Sequence, residues 1–317
     1  MSARFSITGA VRMEIFYNGV DISDVAAISD CVVRDECGGR CDGLDITFEN
    51  AGKWIKWQPR EDDTIIVLES GYNSGVMYVH TVIPEDGKYR IIATALPCAA
   101  RERAYRNYYS TTLEKIMASC AGYSGMKYGI FGELTGLEIS YAQQNFESAA
   151  AFLNRILTLE GAELKCSNGA YWAIGIDAAA QRPAAREIEL TADQSGARYT
   201  RAGTQLKQLN VITPWAEASA RDLAVDDGHI EKSIYILPAK TSAEAGRWAR
   251  ALLKKINSKC EELTLDVEFD PALTAMARID ITGGTDADGG WLISCVEHDM
   301  FNLKSYVKAH RIVETVV

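Results

Sequence analysis

The groups in this 317-residue chain that carry acid–base, nucleophilic or metal chemistry are four histidines, eight cysteines and 43 acidic side chains. His80, His229, His298 and His310 are far apart, and none forms an HExxH or other i, i+4 pair that would set two imidazoles on one helical turn to hold zinc. Cys31, Cys37, Cys41, Cys98, Cys120, Cys166, Cys260 and Cys295 are scattered. The closest pair, Cys37-Gly-Gly-Arg-Cys41, has neither a second pair of matching spacing nor a neighbouring His. The thiols are therefore expected to be free, several of them buried as small apolar residues. No GxSxG elbow, GxxxxGK[ST] loop or GxGxxG turn placed between a strand and a helix occurs.

Carboxylates are abundant without forming a constellation. Asp286 and Asp288 lie in the loop Gly283-Gly284-Thr285-Asp286-Ala287-Asp288-Gly289-Gly290, which lacks the spacing and closing Glu of an EF-hand and reads as a hairpin tip. A glycosidase needs two carboxylates about 5 to 10 Å apart in a cleft. The pairs Glu261-Glu262 and Asp226-Asp227 are adjacent in sequence, and neighbours on a strand point to opposite faces. Charged surface explains them, so no catalytic, cofactor-binding or metal residue is assigned and the chain does not read as an enzyme.

Composition bounds the rest. With 47% hydrophobic and 24% charged residues the chain is an ordinary globular protein, long enough for about two or three domains. No apolar run approaches the roughly 20 residues of a membrane span, and the N-terminus MSARFSITGAVRMEIF lacks the h-region of a signal peptide, so synthesis and folding in a cytoplasm are expected. A net charge of −10 argues against gripping nucleic acid through its phosphates. An acidic channel, by contrast, would repel a DNA backbone and let it slide.

The elements follow from periodicity. Arg12–Tyr17, Ala27–Arg34, Gly43–Glu49, Asp63–Glu69, Val76–Ile83 and Tyr89–Ala95 read as short strands punctuated by Asn18-Gly19, Gly38-Gly39, Asp42-Gly43, Gly71, Gly75 and Asp86-Gly87, the pattern of a small barrel or sandwich. Ser110 or Thr111 caps a predicted helix with the apolar face Leu113, Ile116, Met117 and Cys120, ending near Gly122. Ala178 to Arg186, rich in alanine, reads as a linker or domain edge. Beyond it, Tyr199–Arg201, Leu209–Trp215, Ser233–Leu237, Glu262–Phe269, Ala277–Ile281, Trp291–Asp299 and Ser305–Val316 read as strands. Among them lies a helix with the capping box Thr241…Glu244 and the buried face Ala245, Trp248, Ala249, Leu252, Leu253 and Ile256.

The most informative segment is Gln143 to Ile176. Asn145 is a candidate N-cap, and Phe146, Ala149, Ala150, Leu153, Ile156 and Leu157 recur at helical spacing up to a glycine stop at Gly161. Two strands, Ala162–Ser167 and Ala170–Ile176, flank Asn168-Gly169, the dipeptide that best tolerates a type I′ turn. This segment resembles the signature of the late control D, or tail baseplate hub, family of phages and contractile injection systems, through Gln143, Phe146, Phe152, Leu153, Arg155, Ile156, Leu157, Glu160 and Gly161. Leu44-Asp45-Ile46-Thr47-Phe48-Glu49-Asn50, Trp54, Trp57, Pro59 and Asp62-Asp63-Thr64-Ile65 resemble that family's first tube domain, with Asp62 where Gly is common.

The resemblance implies an α+β, mainly β chain with two β-barrel-like tube domains, at 1–97 and 187–317, an inserted α+β domain at 98–186, and one amphipathic helix at 241–258 in the second barrel region. It further implies a structural, non-enzymatic virion component. This would be a homotrimeric ring adapting a six-fold tail tube to a three-fold spike, with DNA or a tape-measure protein passing through and DNA present only as cargo. Its implied partners are further copies of itself, a separate spike protein, and a tail tube or distal tail protein, in a virion tail or injection particle assembled in a bacterial cytoplasm. Two other classes stand beside it. One is a tail-associated cell-wall hydrolase. The other is a host-surface carbohydrate-binding module, for which Trp54, Trp57 and Trp291 would have to line one groove.

Overall fold

The computed structural model describes residues 13–49, 58–85, 87–191, 196–226, 231–234 and 238–317. Trp54 and Trp57 lie outside the described residues, as do Asn50, Asp86, Asp227, His229 and residues 235–237 of the expected strand Ser233–Leu237.

The first strands are Glu14–Tyr17 (β1), Val20–Asp21 (β2), Ile28–Glu36 (β3), Gly43–Phe48 (β4), Thr64–Glu69 (β5), Tyr72–Asn73 (β6), Met77–Glu85 (β7) and Lys88–Thr94 (β8). Seven lie in the order β2-β1-β5-β7-β8-β4-β3 and β6 pairs with β5 beside it, with antiparallel ladders throughout. Alternation chooses the inner face: in β5, Ile65 and Val67 are fully buried between partly buried neighbours. Ile15 of β1, Val33 of β3 and Ile91 of β8 share one apolar cluster, so both ends of the row pack on a common core.

The next elements are Cys98–Arg101 (α1), Arg103–Thr112 (β9), Leu113–Ser124 (α2), Lys127–Phe131 (β10), Glu138–Ser148 (β11), Ala149–Leu159 (α3), Ala162–Ser167 (β12), Ala170–Gly175 (β13) and Ile176–Ala180 (α4). Three local expectations are corrected here. α2 is capped by Thr112, whose hydroxyl accepts from Lys115 N, and it runs on to a left-handed Gly125 rather than ending near Gly122. α3 is capped by Ser148, not Asn145, because β11 keeps its pairing with β9 through Ser148↔Arg103. The stretch Ala178 to Arg186, expected as a linker or domain edge, is not structureless: it holds most of α4 and the first residue of the next strand. The hairpin β12–β13 forms as expected, with positive φ at Asn168 and Gly169. β10 adds to β13 in parallel, and Gly129 is required there because the Trp172 ring lies where a side chain would start.

The last elements are Arg186–Glu189 (β14), Ala197–Arg201 (β15), Gln208–Ile212 (β16), Glu217–Arg221 (β17), Glu231–Ile234 (β18), Ser242–Ser258 (α5), Glu261–Glu268 (β19), Arg278–Thr282 (β20), Gly289–Asp299 (β21) and Lys304–Arg311 (β22). The row β15-β19-β22-β21, with β20 and β14 on a branch, encloses a core around Trp291, Leu263 and Ile293. It joins the first row through β21 and β3, from Cys295↔Glu36 to Asp299↔Val32, so 14 strands form one continuous sheet. Helix α5 sits outside this row. It covers the small sheet β17-β16-β18 and forms a separate core with Leu209, Val211, Trp248 and Leu253. The chain is thus α+β and mainly β.

Candidate assembly surfaces

The signature residues divide by role. Phe152, Leu153 and Leu157 are fully buried in the core that α3 shares with α2 and the β12–β13 hairpin, and the Phe152 ring stacks on Tyr108 at 5.5 Å. Arg155 ties α3 to β11 by donating to the Gln143 carbonyl at 2.6 Å and pairing with Glu147. Glu160, just past the helix, has a buried carboxylate that accepts from Trp248 Nε1 at 2.7 Å and Arg247 Nε at 2.9 Å, so it binds α3 to α5. Gly161 then takes φ 71°, a left-handed conformation that glycine adopts without the strain most side chains meet there. Phe146 leaves the expected helical face altogether. It sits at a bulge of β11 with φ 51°, is half exposed, and stacks on Tyr105 at 5.3 Å.

β9 and β11 form a two-stranded ribbon whose ladder partners are only each other among the described residues. Its inner face is packed: the Arg106 guanidinium lies 3.3 Å over the Tyr123 ring, and Gln144, fully buried, accepts from Tyr123 Oη and donates to the Glu147 carbonyl. Its outer face presents Tyr105, Asn107 and Tyr109 beside Tyr141, Gln143 and Asn145. Tyr105 and Tyr109 are about two-thirds exposed, at 67% and 66%. The sequence reading missed this ribbon. The signal available was the Tyr- and Thr-rich run Arg103–Thr112, whose residue types favour a pleated, half-buried surface.

A buried ion cluster holds the inserted elements to the large sheet. Lys165 of β12 donates to Asp35 at 2.6 Å and to Asp42 at 3.1 Å, and all three side chains are nearly out of solvent. Asp35 also accepts from Ala275 N at 2.7 Å, so one carboxylate touches β12 and the segment between β19 and β20. Backbone bonds from Gly38 N to Leu164 O and from Asp42 N to Cys166 O run beside it. Burial pushes the Asp42 carboxyl up to about 7, against the pull of the Lys165 ammonium.

A cleft of about 460 Å³ opens between β12, α4, α5 and β22. Much of its charge is mutually paired, Lys254 with Asp177 at 2.7 Å and Lys255 with Glu163 at 2.9 Å. No group of three His, Cys, Asp or Glu side chains is set to hold a metal among the described residues. Cys31, Cys120, Cys166 and Cys260 are buried free thiols. The glycine-rich loop closes on itself, with Asp288 accepting from Gly284 N and Thr285 N, which holds its carboxyl below the usual range. Trp291, expected to line a groove if the chain bound host carbohydrate, is fully buried, with Nε1 donating to Ala287 O and Arg311 stacked over the ring. Sandwiching between the sheet core and Arg311 leaves none of its surface for a ligand. No described helix is long and apolar enough to cross a membrane.

No protein-family model matches the sequence, and no curated protein does. Solved structures do match, over nearly the full length. The 43 kDa tail protein of prophage MuSo2 from Shewanella oneidensis superposes with a TM-score of 0.71 at 13% identity, covering 97% of this chain and all of that one. The fold is that of phage tail proteins. A tail protein from Neisseria meningitidis matches with a TM-score of 0.74 at 10% identity over 96% of this chain and 97% of its own. A type VI secretion component of E. coli, described as structurally similar to T4 tail proteins gp27 and gp5, matches with a TM-score of 0.57 at 13% identity, over 95% of this chain and 76% of that one. In this chain the ribbon and the Glu160 joint lie outside the 14-stranded sheet.

Proposed function

We propose that this chain is a structural baseplate hub of a phage tail or phage-tail-like injection system. Three copies would form a ring that adapts a six-fold tube to a three-fold spike. The carrying observation is the pairing of β21 with β3, which fuses two strand rows, each over its own core, into one sheet. Each chain then offers two similar units, and three chains offer six. Closed rings of this kind bury edge strands that would otherwise pair indiscriminately. Nearly full-length likeness to tail proteins supports the reading, as does the likeness to a secretion component itself similar to gp27 and gp5.

In this reading residues 1–97 and 187–317 are the tube domains and 98–186 the insertion. Phe152, Leu153, Arg155, Leu157, Glu160 and Gly161 serve as the structural joint of that insertion, and Phe146 faces outward. The proposed neighbours are a spike, a tube or distal tail protein and the tape-measure protein, with DNA as passing cargo. The test is the mass of the purified chain by light scattering over a range of concentrations, alone and with spike and tube proteins, followed by electron microscopy. A trimeric ring with a central channel is the expected result. A strict monomer under every condition overturns it.

A further inference from the structure

We infer that the outer face of the β9–β11 ribbon is a contact with a second copy of this chain, seated on that copy's β21–β22 hairpin. The face has the composition of an interface centre: tyrosines, amides and an arginine, with no carboxylate from Arg103 to Tyr109 or from Tyr141 to Phe146. Its aromatics are pre-ordered, Tyr105 stacked on Phe146 and Tyr109 tilted against Tyr141 at 5.2 Å, so little rotamer freedom remains to be lost on docking. Two cations flank it, beside the exposed carboxylates Glu102 and Glu138 at its ends. Arg103 lies over the Phe146 ring and Lys240 over Tyr141, and neither has an ion-pair partner among the described residues.

The aromatics with Arg103 and Lys240 are complemented by an apolar surface carrying carboxylates, and the same chain has one. At the β21–β22 turn Phe301, Leu303 and Tyr306 are 54%, 47% and 44% exposed. Next to them on β19, Asp266 opposite Tyr306 and Glu268 opposite Lys304 are exposed carboxylates. The ribbon belongs to the inserted elements and the hairpin to the large sheet, so the contact is head-to-tail, and head-to-tail contacts generate rings when the rotation closes. The contact presupposes the ring of the proposed function and names the surfaces that would build it.

The test compares the full chain with the double variant Tyr105→Thr, Phe146→Asn by light scattering. Thr suits a strand, and Asn tolerates the left-handed backbone at position 146. A charge-swap cycle, Arg103→Glu, Asp266→Lys and both together, runs beside it, with thermal unfolding as the check on folding. The expected result is a self-association constant weakened about tenfold or more by the double variant and by each single charge reversal, with recovery when the reversals are combined. A wild-type trimer unchanged in all variants overturns this contact and leaves the hub reading standing. A wild-type chain that stays monomeric both alone and with spike and tube proteins overturns both.

Discussion

Lys165 Nζ lies 2.6 Å from the Asp35 carboxylate although 130 residues separate them. The pair clamps the β12–β13 hairpin to the large sheet at the point where Ala275 N reaches the same carboxylate. Because these groups are nearly out of water, removing one partner leaves a buried charge uncompensated.

Replacing Lys165 by Met should therefore destabilise the chain by about 3–5 kcal/mol, read as a fall in the urea midpoint at constant slope. A loss under about 1 kcal/mol would mean that the cluster is solvated in solution and is not a clamp.

The pH dependence of Asp42 has a definite sign. Its folded pKa, about 7, stands above the ordinary 3.8, so between those values the native state holds a proton that the unfolded chain has released. This contribution to stability is present at the acidic end of the window and is lost as the pH rises through 7. The variant Asp42→Asn, neutral throughout, should gain on the wild type between about pH 5 and pH 8 in denaturant titrations. A constant gap would show that Asp42 is already ionised at the lower pH.

His298 works in the opposite direction. It is fully buried, bonded to Ser305 Oγ and the Leu273 carbonyl, and burial holds its pKa below the ordinary value. Its contribution is present above the unfolded value of about 6.5 and is lost as the pH falls below that. The stability advantage of the wild type over His298→Gln should shrink as the pH drops from about 7 to 5, and an advantage that grows would contradict a neutral imidazole.

Glu160→Ala strips the acceptor from both Trp248 Nε1 and Arg247 and should cost about 2–3 kcal/mol. Glu160→Gln, which can still accept from the indole, should cost about 1 kcal/mol. Equal losses in the two variants would assign the stabilisation to charge alone.

Gly161→Ala tests the turn after α3. At φ 71° an added Cβ would meet only Ala251 at 3.6 Å, an ordinary contact, so the cost is backbone strain of about 1 kcal/mol, measurable as a lower thermal midpoint. No change would mean that the loop relaxes.

Local patterns anticipated most elements of the large sheet. The strands β1, β3, β4, β5, β7 and β8 fall within a residue or two of the apolar alternation that announces them. α5 likewise begins at the Thr241 cap that its Glu244 spacing marks. The apolar spacing of Leu153, Ile156 and Leu157 announced the buried face of α3. The start of that helix was misread because Asn145 and Ser148 are equally good caps in isolation. Pairing with β9 decided between them by drawing Phe146, Glu147 and Ser148 into the strand region.

By themselves, residue types and their spacing determined what depends on near neighbours: strands, helix faces, the Asn168-Gly169 turn, and the lack of any motif for metal or nucleophilic chemistry. Only the tertiary structure decided what depends on pairs far apart in the chain. It joined β3 to β21, placed α5 on a sheet of its own, set Lys165 between Asp35 and Asp42, and turned Tyr105 and Phe146 to the surface together. The physical reason is that alternation tells a strand which face to bury but not which partner to pair with. That choice is made by the burial and hydrogen bonding of the whole chain at once.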